Sequence, residues 1–316
     1  MNTATRVGAF GAGLGVAFAA AFGVGRLAEP RMPRDATPTH AESAGHGSAP
    51  NGAEPTGSAH GGDHDTSSTA SGVAPAGLSA SGDGYRLVLN RPTVAASPQA
   101  RLAFRVLAPG GEPLTAYTTR HEKQLHLILV RRDLSGYQHL HPVLGADGVW
   151  STTADLAQPG QWRVLADFDP AGATEPLVLG TDLAVPGAYS PVELPTDGGS
   201  TTVDGYTIRR TGNLSARSAN PVAFTLARVD GTAVDLQPYL GADGHLVVLR
   251  AGDLAYAHAH PLASASNVGA GAQAMAFTVE TPGAGDYRLF LEFNDAGRVH
   301  AAAFTAQAHQ GDAHGG

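Results

Sequence analysis

His139 and His141 stand two residues apart, as do His258 and His260, each pair inside the pattern Tyr-x-His-x-His-Pro. Alternate residues of a strand share one face, about 7 Å apart along the chain, so both imidazoles of a pair project to the same side. A third histidine precedes each pair: His126 lies 13 residues before His139, and His245 lies 13 before His258. The intervening R-R-D-L-S-G and R-A-G-D-L-A are turn material, so H-x12-H-x-H folds most simply as a hairpin with its first histidine nearly opposite the pair. Facing cross-strand residues have Cβ atoms about 5 Å apart, and imidazole nitrogens bind a metal ion at about 2 Å. Two metal sites are therefore expected, one from His126, His139 and His141, the other from His245, His258 and His260. H-x-H alone is a common accident. Here Tyr, both histidines, Pro and the distant histidine all recur in two copies that have otherwise diverged. A His–Tyr–Pro packing cluster would preserve the same residues.

Additional ligands are available to each unit. His121 and Glu122 lie just upstream of the first hairpin, and His300 follows the segment Y-R-L-F-L-E-F of the second unit. Asp167 in W-R-V-L-A-D-F and Glu292 in Y-R-L-F-L-E-F occupy matching positions, as ligands or as carboxylates that orient an imidazole. The absence of cysteine excludes thiolate zinc sites, iron–sulfur clusters, blue-copper sites, disulfides and cysteine nucleophiles. Only 3 methionines are present, which argues against a Met-rich Cu(I) site. An imidazole set suits Zn(II), Cu(II) and Ni(II), with Cu(II) favoured at equal availability, so copper(II) or zinc is the expected cofactor. Binding should weaken below about pH 6 as imidazoles of pKa ~6.5 protonate.

Other chemistries find no support. A net charge of −8 with only 20 Lys and Arg leaves no basic face for nucleic acid. H-E-K-Q-L-H at His121 has one residue too many for a zincin helix, placing its histidines about 140° apart around the axis. No nucleophile elbow, P-loop or dinucleotide fingerprint is present, and after His141 comes P-V-L-G-A-D-G, without the glutamate that a cupin would require. The chain therefore reads as a non-enzyme. An imidazole-metal oxidase is the enzymatic alternative, because a three-histidine site with an open position can activate water or dioxygen.

The elements that position these histidines are short strands. R-L-A-F-R-V-L, L-H-L-I-L-V, W-R-V-L-A-D-F, H-L-V-V-L and Y-R-L-F-L-E-F are separated by Gly, Pro, Asp and Asn turns. They occur in two copies: S-G-D-G-Y-R-L-V-L from Ser81 answers T-V-D-G-Y-T-I from Thr202, and P-G-Q-W-R-V-L-A-D-F answers G-A-G-D-Y-R-L-F-L-E-F. The expected fold is all-β, two tandem immunoglobulin-like antiparallel sandwiches over residues 81–188 and 199–306. Residues 7–25 are uncharged and rich in Gly and Ala, so 1–28 reads as a membrane-spanning signal anchor or a signal peptide. Residues 29–80 are low in apolar content and carry His40, His46, His60 and His64, as a disordered stalk would. Residues 307–316 read as a disordered tail.

The segments H-E-K-Q-L-H-L-I-L-V-R-R-D-L-S-G-Y-Q-H-L-H-P and G-H-L-V-V-L-R-A-G-D-L-A-Y-A-H-A-H-P resemble those of a group of actinobacterial secreted or membrane-anchored proteins, sometimes labelled heavy-metal-binding. In outline they are similar to extracytoplasmic β-sandwich domains of the FixH/YtkA type. The resemblance covers both repeats and implies an extracytoplasmic location and a heavy-metal role. The resulting expectation is a membrane-tethered, extracytoplasmic protein that holds Cu(II) or Zn(II) for sequestration, delivery or sensing. The alternative is a cell-surface structural or interaction protein whose histidines are structural. The sequence names no protein partner.

Overall fold

The computed structural model describes residues 75–262 and 271–310. The expected membrane segment, the four stalk histidines and residues 311–316 lie outside the described residues. Among those described, no helix is long and apolar enough to cross a membrane.

The first repeat is built from β1 (Ser81–Gly82), β2 (Tyr85–Leu89), β3 (Ser97–Leu107), β4 (Tyr117–Thr118), β5 (Leu125–Arg131), β6 (Gln138–Leu140), β7 (Val143–Leu144), β8 (Trp150–Leu156), β9 (Gly160–Pro170) and β10 (Leu177–Val185). The second has β11 (Ser200–Val203), β12 (Tyr206–Thr211), β13 (Leu214–Ser215), β14 (Ala219–Arg228), β15 (Leu236–Gln237), β16 (His245–Arg250), β17 (Tyr256–Pro261), β18 (Gln273–Glu280), β19 (Gly285–Asp295) and β20 (Arg298–His309). The fold is the tandem immunoglobulin-like arrangement that the alternating segments predict. In the first repeat one sheet runs β1-β2-β3-β8-β7 and the other β10-β9-β5-β6, with β4 on β9. In the second repeat the corresponding sheets join, in the order β11-β12-β14-β18-β17-β16-β19-β20-β13, because β17 passes from one to the other.

Each sandwich has its own core. Phe104, Trp150, Trp162 and Phe168 fill the first, and Phe224, Phe277, Tyr287 and Phe293 the second. A third apolar cluster joins the repeats, with Ile128, Val130 and Leu165 on one side and Val247, Leu249, Tyr256 and Phe290 on the other. The reason is visible in β5, L-H-L-I-L-V-R, all of whose residues are buried. Leu127 and Leu129 enter the first core, while Ile128 and Val130 point the other way and reach the second repeat. A strand apolar on both faces must be covered on both. β16 does the same, with Leu246 and Val248 inward and Val247 and Leu249 at the junction.

Two segments extend the body beyond the expected edges. The end of the stalk region docks on it: Gly77 N–H donates to Val178 O at 3.0 Å, Tyr256 N–H to Ala76 O at 2.9 Å and Gly180 N–H to Ser79 O at 2.8 Å. Gly77 holds a left-handed φ of 76°, and a Cβ there would lie 2.7 Å from Leu165, so the close approach requires glycine. At the other end β20 runs to His309, with Ala308 buried against the second core.

Candidate metal centre

β5 and β6 pair as the hairpin pattern requires, with Leu127 opposite Leu140 and Ile128 opposite His139. Continuing that register brings His126 level with His141, and Pro142 has no N–H to extend the ladder. Tyr137, His139 and His141 thus share the face of β5 that carries His126 and the junction residues. One ring nitrogen from each of His126, His139 and His141 lies within 4.8 Å of the other two.

The hydrogen bonds at this cluster orient the His126 and His139 rings. His139 Nδ1 sits 2.7 Å from the Glu292 Oε2 carboxylate, and His126 Nε2 sits 3.1 Å from the Arg120 carbonyl oxygen. Both acceptors can only accept, so both of those nitrogens carry the proton. In the neutral rings the remaining nitrogens, His126 Nδ1 and His139 Nε2, are then bare, yet they face each other at 3.0 Å. Two lone pairs at that distance repel unless a cation or a shared proton lies between them. Two nitrogens on one tetrahedral ion at about 2 Å would be roughly 3.3 Å apart, close to the spacing found. His141 Nε2 is also buried without a hydrogen-bond partner.

Electrostatics disfavour the charged forms of His126, His141 and His245. Burial, reinforced by repulsion from His139, lowers the His126 pKa to about 4 and that of His141 to about 3. Burial also drives His245 well below its ordinary value. The His245 ring lies 10° from parallel to His126, with centroids 5.7 Å apart, and 4.9 Å from His139. His121 meets His126 and His245 edge-on, at 6.1 and 5.9 Å. Glu292 is buried and also lies within 3.5 Å of the Tyr239 hydroxyl.

The second expected triplet is not assembled. β17 pairs with β16 only at Ala257 and Tyr256. It then crosses to β18, placing His258 opposite Glu280 and His260 opposite Thr278. His245 stays on β16 opposite Glu292 and joins the first cluster instead. The rings of His258 and His260 stack on each other at 6.4 Å. The remaining candidates disperse. Asp167, opposite His126 on β9, is held by the Arg120 guanidinium and lies 3.3 Å from the Tyr256 hydroxyl. His300 sits opposite Phe293 on the core side of β20, where its Nδ1 bonds Asp204 at 2.9 Å. Glu122 is exposed in the turn before β5.

The two repeats exchange contacts through the duplicated motif. His139 of the first bonds Glu292 of the second, and Tyr256 of the second bonds Asp167 of the first. Tyr239, Arg120 and the joining of His245 to the first site are not apparent from the H-x12-H-x-H spacing. The doubly apolar strands flanking the histidines are the signal that could have found them.

The family described as a domain of unknown function, DUF8832, matches residues 80–179 and again 201–310. Among solved structures, the chain is similar to FdeC, an Escherichia coli adhesin, at 16% identity, over 73% of this chain and 65% of that one, with a TM-score of 0.22. It is similar to a protein from Corynebacterium diphtheriae, described by its sequence as membrane anchored, at 9% identity, over 73% of this chain and 60% of that one, with a TM-score of 0.22. Invasin, a bacterial integrin-binding protein, aligns at 12% identity over 70% of this chain and 39% of its own, with a TM-score of 0.19. The chain spans less than two thirds of each of these structures, and the likeness is one of fold alone. No curated protein matches the sequence.

Proposed function

The chain belongs to the DUF8832 family, and from that premise we propose that this member binds one copper(II) or zinc ion at His126, His139 and His141. The supporting observation is the facing pair of ring nitrogens, His126 Nδ1 and His139 Nε2, 3.0 Å apart, whose rings are held by Glu292 and the Arg120 carbonyl. Carboxylates and carbonyls that fix the tautomer of a ligating histidine are the usual outer shell of such sites. With no sulfur ligand, the site suits a borderline ion. We place the protein outside the cytoplasm, tethered by the uncharged amino-terminal stretch, where it would sequester, deliver or sense the ion. The resemblance to the FixH/YtkA type and to heavy-metal-labelled proteins belongs with this reading.

A second reading, a cell-surface interaction protein with structural histidines, is favoured by the His139–Glu292 bond, which ties the repeats together without an ion. Equilibrium dialysis of the full chain with Zn(II) or Cu(II) separates the two. The metal reading expects one tightly held ion, lost in His126→Ala/His139→Ala while the weak uptake by the stalk histidines persists. A wild-type chain that holds no ion tighter than micromolar at pH 7.5 supports the structural reading instead.

A further inference from the structure

Equivalent carboxylates of the two repeats each take a side chain from the opposite repeat at the junction, yet their charge surroundings differ. Asp167 and Glu292 are equivalent residues of β9 and β19, both buried, each receiving a side chain from the opposite repeat. Asp167 has the Arg120 guanidinium on it. The residue equivalent to Arg120 is Tyr239, which offers Glu292 a hydroxyl at 3.5 Å and no positive charge. A buried carboxylate without a cation is costly, and its nearest polar partner is His139 at 2.7 Å, a member of the proposed metal site. A metal ion on the far nitrogen of that imidazole would supply the missing charge. His245, also from the second repeat, lies flat over the same cluster.

Resting on the proposed metal site, we propose that the second repeat completes it. Glu292 and His245 act as positioning residues for an ion ligated by the first repeat, so that a single ion fastens the two sandwiches together. Arg120 takes the place of an ion at the equivalent position beside Asp167. The chain therefore carries one ion, although the motif is written twice.

The test is ion affinity and amide hydrogen exchange on the full chain, with Zn(II) as the probe. Wild type is expected to hold one tight ion, and its loading to slow exchange in both β5 and β19. Glu292→Gln, which keeps shape but not charge, should weaken binding by about 10- to 100-fold. It should also abolish the ion-induced protection of β19. His258→Ala/His260→Ala, altering the equivalent pair, should keep one ion at unchanged affinity. If wild type binds the ion but Glu292→Gln binds it equally well, or if only β5 gains protection, the fastening role is overturned while the metal site stands. If wild type binds no ion, the metal site itself fails. Loss of binding in His258→Ala/His260→Ala would overturn the single-site assignment.

Discussion

Tyr137 of the first repeat lies flat on Phe290 of the second, with ring centroids 4.0 Å apart and planes 5° from parallel. Both rings belong to the surface where the repeats meet, with Leu165 and Val247 beside them. This contact makes the junction part of the core of the molecule. Phe290→Ala should cost about 3–5 kcal/mol in urea unfolding, as for other large buried aromatics. Tyr137→Ala should cost a similar amount, and the double variant less than the sum, because the two share one contact. Additive costs would mean that the rings do not support each other.

Acid should destabilise the ion-free protein. His126 titrates at about 4 and His141 at about 3 in the folded chain, against ~6.5 when unfolded. Between those values the unfolded chain binds more protons, so stability falls as pH drops below about 6.5, by up to roughly 1.4 kcal/mol per pH unit for each histidine. Burial lowers His121, His245 and His258 in the same sense. Urea midpoints measured with a chelator at pH 7.5, 6 and 5 should decline steadily, and His141→Gln should decline less. Equal midpoints at all three values would contradict neutral buried imidazoles.

An ion bound only by the folded chain must raise its stability. At a free concentration 100 times its Kd the gain is about 2.7 kcal/mol. Thermal melts with Zn(II) and then with excess chelator should show a reversible rise in Tm, absent from His126→Ala/His139→Ala. A rise that survives in that variant would locate the ion elsewhere on the folded body.

The docked segment before β1 depends on Gly180, where an added Cβ would come within 2.0 Å of the Gly77 carbonyl oxygen. Backbone at that distance cannot yield by a side-chain rotation. Gly180→Ala should therefore release residues 76–80, at a cost of about 1–3 kcal/mol. The readout is faster amide exchange at Gly77 and Gly180, and faster proteolysis ahead of Ser81. Wild-type exchange at both amides would show that the segment had simply shifted.

Alternation of apolar and polar residues, punctuated by Gly and Pro, was enough to read two all-β repeats, because strand faces are decided locally by side-chain direction. The hairpin that joins His126 to His139 and His141 was legible for the same reason: its register follows from the turn and from the faces its leucines must bury. What the sequence could not reveal was the fate of the second copy. Y-A-H-A-H-P has the same spacing, but β17 leaves β16 after Ala257, a choice between two partner strands that depends on which sheet edge is open. Nor could spacing show that Glu292 and His245 turn toward the first repeat's histidines, 153 and 119 residues from the His139 and His126 that they approach. That proximity comes from burying the outer faces of β5, β9, β16 and β19 against one another, and only tertiary packing decides it.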